Sequence, residues 1–335
     1  MNSVNRSWRD KAAVSRILYI SHDIAQPRGG IGVLYDHVAT LREHGLDAFI
    51  VHATPGFRYP FAGADIPVID ASSNLRVSTT DVLVVPEDHP AAIRRCGVLT
   101  CRKVLLCQNH FYVFQGLKPG ETWRSFGFSA YMCVSSPIQQ ALRRWFSVDA
   151  SVVRPAVDDV FFSEDLKPFA PPITVACMPR KGPHNIRLVQ GLLAAAGHVH
   201  GKGLSWLEIE GLSKDQVAAH LRDTHVYVST SMYEGLGLPP LEAMAAGCLV
   251  VGFAGGGGLD YATADNGIWV PDEDAWALAN ALERTLASLD DPAVAAELEA
   301  KRRAGRATAR NYTRARFEHD LLAFWSAYLG SAKEA

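Results

Sequence analysis

Residues 229–247 read Ser229-Thr-Ser-Met-Tyr-Glu234-Gly-Leu-Gly-Leu-Pro-Pro-Leu-Glu242-Ala-Met-Ala-Ala-Gly247, and this stretch decides the fold. The apolar run that leads into it, Val226-Tyr-Val-Ser229, has the length and composition of a buried strand. Pro239 and Pro240 read as the first turn of a helix, where a missing N–H is harmless, so Glu242 is expected in that turn. Between strand and helix, Gly235 and Gly237 let a ligand lie against the backbone. The free N–H groups of the turn through Leu236 to Leu238 favour a phosphate there. Strand, glycine-rich turn and helix in that order belong to a parallel sheet.

Glu234 and Glu242 flank that anion site with acceptor-only side chains. An ionised carboxylate binds neighbouring hydroxyls in bidentate fashion, so the pair suits a sugar nucleotide, with Glu242 on the ribose and Glu234 on the sugar. The plainer alternative leaves Glu242 complementing the helix dipole and Glu234 solvated. The segment EGLGLPPLEAMAAG resembles the E-x7-E signature of glycosyltransferase family 4, the glycosyltransferase group 1 family. These are retaining enzymes of the GT-B fold that use nucleotide-sugar donors. The following CLVVGFAGGGGLDYATADNGIWVPDED is similar to the family's strand, glycine-rich loop with a nearby acidic residue, and Asn-Gly-hydrophobic-Val-Pro, so the resemblance extends to about Asp274. It implies an α/β protein of two Rossmann-like domains, their parallel sheets facing a cleft, with the last helix returning to the first domain.

Composition agrees with that reading. A chain of 335 residues, 48% hydrophobic and 20% charged, can bury two ordinary cores and is neither disordered nor fibrous. With 33 Lys+Arg against 35 Asp+Glu it lacks the broad basic footprint of a nucleic-acid binder. Cys96, Cys101, Cys107, Cys133, Cys177 and Cys248 fall mostly in or beside apolar runs without metal-ligand spacing, and read as reduced core thiols. The opening residues 1–15 are too polar for a signal peptide, and no apolar run is long enough to cross a bilayer. A cytoplasmic protein is expected, with contact to the inner face of a membrane left open and the oligomeric state unspecified. The glycosylation triplets at Asn5 and Asn311 carry no weight in such a chain. Trp123-Arg-Ser-Phe126 and Arg143-Arg-Trp-Phe146 mix bases with aromatics, either as an interfacial surface or as ordinary helix surface.

Short β-branched runs at residues 16–20, 48–51, 82–85 and 104–107 alternate with helical patterns such as 33–43, and a second series starts at 173–177 with a helix over 185–196. The proline-bearing stretch 158–172 suits a linker. The expected domains are 1–165, on the acceptor side, and 166–312, on the donor-nucleotide side, with 313–335 as the returning helix. The chain then crosses between the domains twice.

Further site residues follow from the resemblance. Gly29 and Gly30, in Pro27-Arg-Gly-Gly-Ile-Gly32, lie in a loop between the first strand and a helix. By themselves they are equally a tight turn and an anion site; they resemble the family's Gly-Gly loop over the donor phosphates. This is not the dinucleotide fingerprint, since the acidic partner is absent from Phe49-Ile-Val-His-Ala. Arg180 and Lys181 follow a strand where a diphosphate needs its charge neutralised. Family members usually separate the two, so either can be the main phosphate contact here. His110 stands where related enzymes place a histidine beside the donor sugar, with Asn109 and Gln108 as alternatives, and His22 is a cleft candidate by position alone. Gly197-His-Val-His-Gly-Lys202 lacks the Walker spacing, and Asp272-Glu-Asp274 suits helix capping better than a metal.

The implied reaction moves a sugar from a nucleoside-diphosphate sugar to a hydroxyl acceptor with retention and without a metal or other cofactor, in glycan, glycolipid or cell-surface polysaccharide synthesis. His110, Arg180, Lys181 and Glu234 form the expected catalytic set, with neither glutamate a nucleophile. Gly29, Gly30, Arg180, Lys181, Glu234, Gly235, Leu236, Gly237, Leu238 and Glu242 bind the donor. The alternatives are a phosphorylase or epimerase on the same fold, and a non-catalytic paralogue that binds a nucleotide or a protein partner.

Overall fold

The computed structural model describes residues 16–330 apart from 64, 73–74, 164–165, 170–171 and 199–202. The Asn5 triplet and most of the Gly197–Lys202 stretch therefore lie outside the described residues. The described chain forms two compact units, one running to Pro155 and resuming at Phe317, the other spanning Ala156–Arg316. The first division falls earlier than residue 165 because the start of the expected linker is built into the second unit. There Val157 N–H donates to Tyr312 O at 2.8 Å, and Phe161 is 1% exposed in a 3-10 turn capped by Asp158.

In the first unit the order is β1 (Ile17–Ile20), α1 (Gly29–Glu43), β2 (Ala48–His52), β3 (Val68–Asp70), β4 (Val82–Pro86), α2 (Pro90–Cys96), β5 (Arg102–Cys107), α3 (Val113–Gly116), β6 (Ala130–Cys133), α4 (Ser136–Phe146) and β7 (Ser151–Val152). All pairs are parallel, in the sheet order β3-β2-β1-β4-β5-β6-β7. β4 is buried along its whole length, which is why it reads as an unbroken apolar run rather than an alternation. β1 has β2 and β3 on one side and β4 on the other, so the direction of winding reverses between β1 and β4. At such a reversal the flanking loops part and leave a crevice at the strands' carboxyl ends.

The second unit repeats the plan with β8 (Ile173–Cys177), α5 (Pro183–Ala195), β9 (Leu204–Glu208), α6 (Lys214–Arg222), β10 (Val226–Ser229), α7 (Leu238–Ala245), β11 (Leu249–Gly252), β12 (Ile268–Trp269), α8 (Ala275–Ala287) and α9 (Pro292–Ala309). Its parallel sheet runs β12-β11-β10-β8-β9, with the reversal between β8 and β10. Val175, Cys177, Val226, Val228, Leu249 and Val251 fill the core against Ile186 and Val189 of α5 and Leu278 and Leu282 of α8.

The last helix, α10 (Arg314–Gly330), carries its buried aromatics into the first unit. Trp325 is fully buried and donates from Nε1 to the Tyr19 hydroxyl at 3.3 Å, while Phe317 packs against His37. All six cysteines are free and buried, and burial pushes the Cys96, Cys177 and Cys248 thiols up to about 12. Trp123 is core, 1% exposed and packed on Phe146, so it is lost to any interfacial surface; Trp145, 75% exposed beside Arg144, is not. Among the described residues no helix is long and apolar enough to cross a membrane.

Candidate donor site

The loops after β8 and β10 meet at the reversal point of the second sheet. After β8 a single 3-10 turn, Pro179–Lys181, separates the neighbouring bases: Arg180 is exposed, while Lys181 donates from Nζ to Glu234 Oε1. A Cβ at the next residue, Gly182, would lie 2.7 Å from Thr230 O, so only glycine lets the two loops pass this closely. Glu234 is 8% exposed, and its ion pair with Lys181 replaces the solvated carboxylate of the plainer reading.

The glycine-rich loop after β11 clamps Glu234 from the other side. Glu234 N–H donates to Gly255 O at 2.8 Å, and Gly257 N–H donates to Glu234 O at 3.0 Å. Gly255 has φ 64, and a Cβ there would stand 2.5 Å from Ser231 O. The acidic triplet downstream holds this loop. Asp272 accepts from Gly255 N–H at 3.0 Å, Glu273 accepts from the Tyr233 hydroxyl at 2.9 Å, and Asp274 caps α8 by accepting from Ala277 N–H at 2.8 Å.

α7 starts at Leu238, one residue before the prolines, with Gly237 as its N-cap at φ 84 and the Tyr261 hydroxyl donating to Gly237 O at 2.7 Å. That earlier start puts Glu242 just past the first turn, not within it. Glycine supplies no side-chain cap, and Pro239 and Pro240 carry no N–H, so within the first three residues of α7 only the Leu238 N–H is left for an anion. Leu236 is 4% exposed, so it can meet a ligand through its backbone but not its side chain. Glu242 is half-buried, and burial pushes its carboxyl up to about 7, with Lys214 and Lys181 pulling it down and Asp158 pushing it up.

Beside these strand ends lies a cavity of about 440 Å³ lined by Gly182, His184, Asn185, Met232, Tyr233 and Glu273. His184, Asn185 and Tyr233 carried no signal in the sequence, because each is an ordinary polar residue until the loops converge. A larger hollow of about 780 Å³, lined by Leu259, Trp269, Arg284 and Lys301 among others, holds none of the expected site residues. The smaller is not lined by them either, but its Gly182 and Tyr233 directly adjoin Lys181 and Glu234 in the chain, so it lies beside the site. Among the described residues no three His, Cys, Asp or Glu side chains gather to hold a metal.

The first unit carries Gly29, Gly30 and His110. Gly29 and Gly30 open α1 and do not form a loop; the helix runs four residues further back than the 33–43 pattern suggests. A Cβ at Gly29 would meet nothing within 4 Å, whereas one at Gly30 would touch Gln108 Oε1 at 3.4 Å. Gln108 also donates from Nε2 to Gly30 O at 3.0 Å, so it braces the start of α1. The buried Glu87 holds the loop that follows β5, accepting from Gln108 N–H at 3.0 Å and Asn109 N–H at 2.6 Å. Burial raises its carboxyl above the usual range. His110 lies in the next turn, its ring 4.1 Å from that of Phe111 and tilted by 34°. Burial lowers its imidazole, and its Nδ1 is buried with no hydrogen-bond partner among the described residues.

Residues 208–303 match the family model "Glycosyl transferases group 1". Over 231 residues, 68% of this chain and 69% of the relative, the sequence is 26% identical to an alpha-1,6-glucosyltransferase of Actinobacillus pleuropneumoniae serotype 7. Among solved structures, Anabaena HepE in complex with UDP and glucose superposes with a TM-score of 0.67 at 14% identity, covering 93% of this chain and 99% of that one. A glycosyltransferase from Rickettsia africae gives 0.66 at 15% identity over 94% and 98%. Sucrose-phosphate synthase from Thermosynechococcus elongatus gives 0.65 at 17% identity over 96% and 100%. With the E-x7-E pair set between β10 and α7 of the second parallel sheet, residues 208–303 carry the glycosyl transferases group 1 match, and the chain as a whole has the GT-B fold of its structural neighbours.

Proposed function

We propose that this glycosyltransferase moves a hexose, with retention, from a nucleoside-diphosphate donor to a hydroxyl acceptor. The observation that carries the proposal is the meeting of Lys181, Glu234 and the uncapped start of α7 at one sheet reversal. In the proposed step the C1–O bond to the diphosphate breaks with its electron pair, and the leaving phosphate gathers charge. Lys181, Arg180 and the Leu238 N–H at the start of α7 stabilise that charge. The acceptor oxygen bonds to C1 on the same face and passes its proton to the departing phosphate oxygen. Glu242 holds the ribose and Glu234 the sugar, orienting both. The roles of Gly29, Gly30 and His110 rest on the resemblance alone.

Glucose is the first sugar to try, because a relative is named an alpha-1,6-glucosyltransferase and the HepE complex contains UDP and glucose. A sugar hydroxyl on a glycan, a glycolipid or a cell-surface polysaccharide is the proposed acceptor class. A glycolipid would bring the exposed Arg144–Trp145 end of α4 to a membrane surface. The test is thermal stabilisation of wild type and Glu242→Ala by a panel of nucleoside diphosphates and their sugars. A ligand at 100 times its Kd adds about 2.7 kcal/mol. One base is expected to stabilise wild type and fail with the variant; anomeric NMR of the product then reads the stereochemistry. Binding without turnover on any acceptor would instead favour the non-catalytic paralogue.

A further inference from the structure

The first unit has its own sheet reversal, between β1 and β4, and two side chains meet across it that the donor reading does not use. His22 is the second residue beyond β1, and Asp88 is the second beyond β4. His22 Nε2 lies 2.8 Å from Asp88 Oδ1. A carboxylate only accepts, so Nε2 carries the proton and Nδ1 presents a lone pair. Neither His22 Nδ1 nor Asp88 Oδ2 has a hydrogen-bond partner among the described residues, and the side chains are 28% and 29% exposed. His89 stacks under His22, rings 4.6 Å apart and 12° from parallel, and is itself pinned because its Nδ1 accepts from Ala92 N–H at 3.3 Å. The next residue back, Glu87, ties the same loop to the one after β5. Two acceptor atoms are thus held at the mouth of a crevice by groups that cannot easily turn away.

We propose that His22 and Asp88, backed by His89, form the subsite for neighbouring hydroxyls of a sugar acceptor. This rests on the reading of the chain as a sugar transferase. One hydroxyl donates to His22 Nδ1 and its neighbour to Asp88 Oδ2, which orients the sugar without taking the reacting proton. The charge at this crevice selects the ligand class. Asp23, accepting from Thr54 N–H and paired with His52, also acts on the neighbouring His89, whereas burial raises the Glu87 carboxyl and removes most of its charge, so the acceptor atoms here suit the donating hydroxyls of a neutral polyol. Phe111, 42% exposed and packed at a tilt against His110 in the turn after β5, adds an aromatic face of the kind that lines sugar sites.

The test uses the full chain and the variants Asp88→Asn, which keeps the shape, and His22→Gln. Saturation-transfer NMR would follow isomaltose and the methyl α- and β-glucosides and galactosides on each protein. Transfer from the stabilising nucleotide sugar to whichever sugar binds would be resolved into kcat and KM. The expected result is a fall of about 10- to 100-fold in kcat/KM, carried mainly by KM, with loss of the NMR signal and unchanged stabilisation by the nucleotide. The proposal is overturned if both variants keep the wild-type acceptor KM, if no sugar of the panel gives a signal that Asp88→Asn removes, or if nucleotide binding falls in parallel. Absence of any nucleotide effect on wild type would count against the transferase reading, while the NMR comparison still decides whether His22 and Asp88 hold a sugar.

Discussion

Glu242, the proposed ribose contact, shows how burial ties such a residue to pH. Its folded pKa of about 7 lies above the ordinary 4.5, so the folded chain keeps a proton that the unfolded chain has shed between those values. The stability from that proton is present below about 4.5 and is lost as pH rises to 7. Ribose hydroxyls donate to the ionised form, so nucleotide binding releases the proton and tightens as pH rises from 6 to 8. Thermal shifts at those two pH values should show this gain in wild type and not in Glu242→Gln. Lys181 poses a different question. Removing it leaves Glu234 buried without a counter-charge, at a cost of about 1–2 kcal/mol for a partly exposed pair. Lys181→Met combined with Glu234→Gln should recover most of that stability in chemical denaturation yet stay inactive in transfer; recovery of both would mean that the pair is structural only. The glutamate spacing was legible along the chain because both residues sit on one βα unit. The Lys181–Glu234 bond was not, since it joins residues 53 positions apart.

At the scale of elements, the loop after β11 is the device that sets Glu234. A Gly255→Ala change puts a Cβ 2.5 Å from Ser231 O at φ 64, where L side chains are strained. A loss of about 1–3 kcal/mol is expected, with transfer falling further than stability because Glu234 moves with the loop. Wild-type kcat in that variant would show that the clamp does not position the carboxylate. The long strands were legible because burial on both faces demands unbroken apolar runs, as in Val82-Leu-Val-Val-Pro86. β3, β7 and β12 were not, being two or three residues long and only partly buried, and held by neighbours already in place. The start of α1 is hidden in the sequence for a related reason: glycines weaken a helix locally, and the bond to Gly30 O that braces this end comes from Gln108, 78 residues on.

At the scale of the whole molecule, α10 ties the end of the chain to its first strand. Trp325→Ala removes a fully buried indole and its bond to Tyr19, for which about 3–5 kcal/mol is expected. Denaturation followed by Tyr and Trp signals should show the first unit's transition shifted and the second unit's unchanged. Transfer is expected to persist in EDTA, because the proposed charge stabilisation comes from Lys181, Arg180 and the Leu238 N–H; abolition by EDTA and rescue by a divalent ion would refute that. By itself the sequence determined the βα alternation, the α/β class and the family resemblance, since hydrophobic period, turn glycines and the E-x7-E spacing are local properties that survive in a linear string. Only the tertiary structure decided which base meets Glu234, where each unit begins and ends, and that His22 finds Asp88. Those depend on sheet order, and sheet order brings together loops that are far apart along the chain.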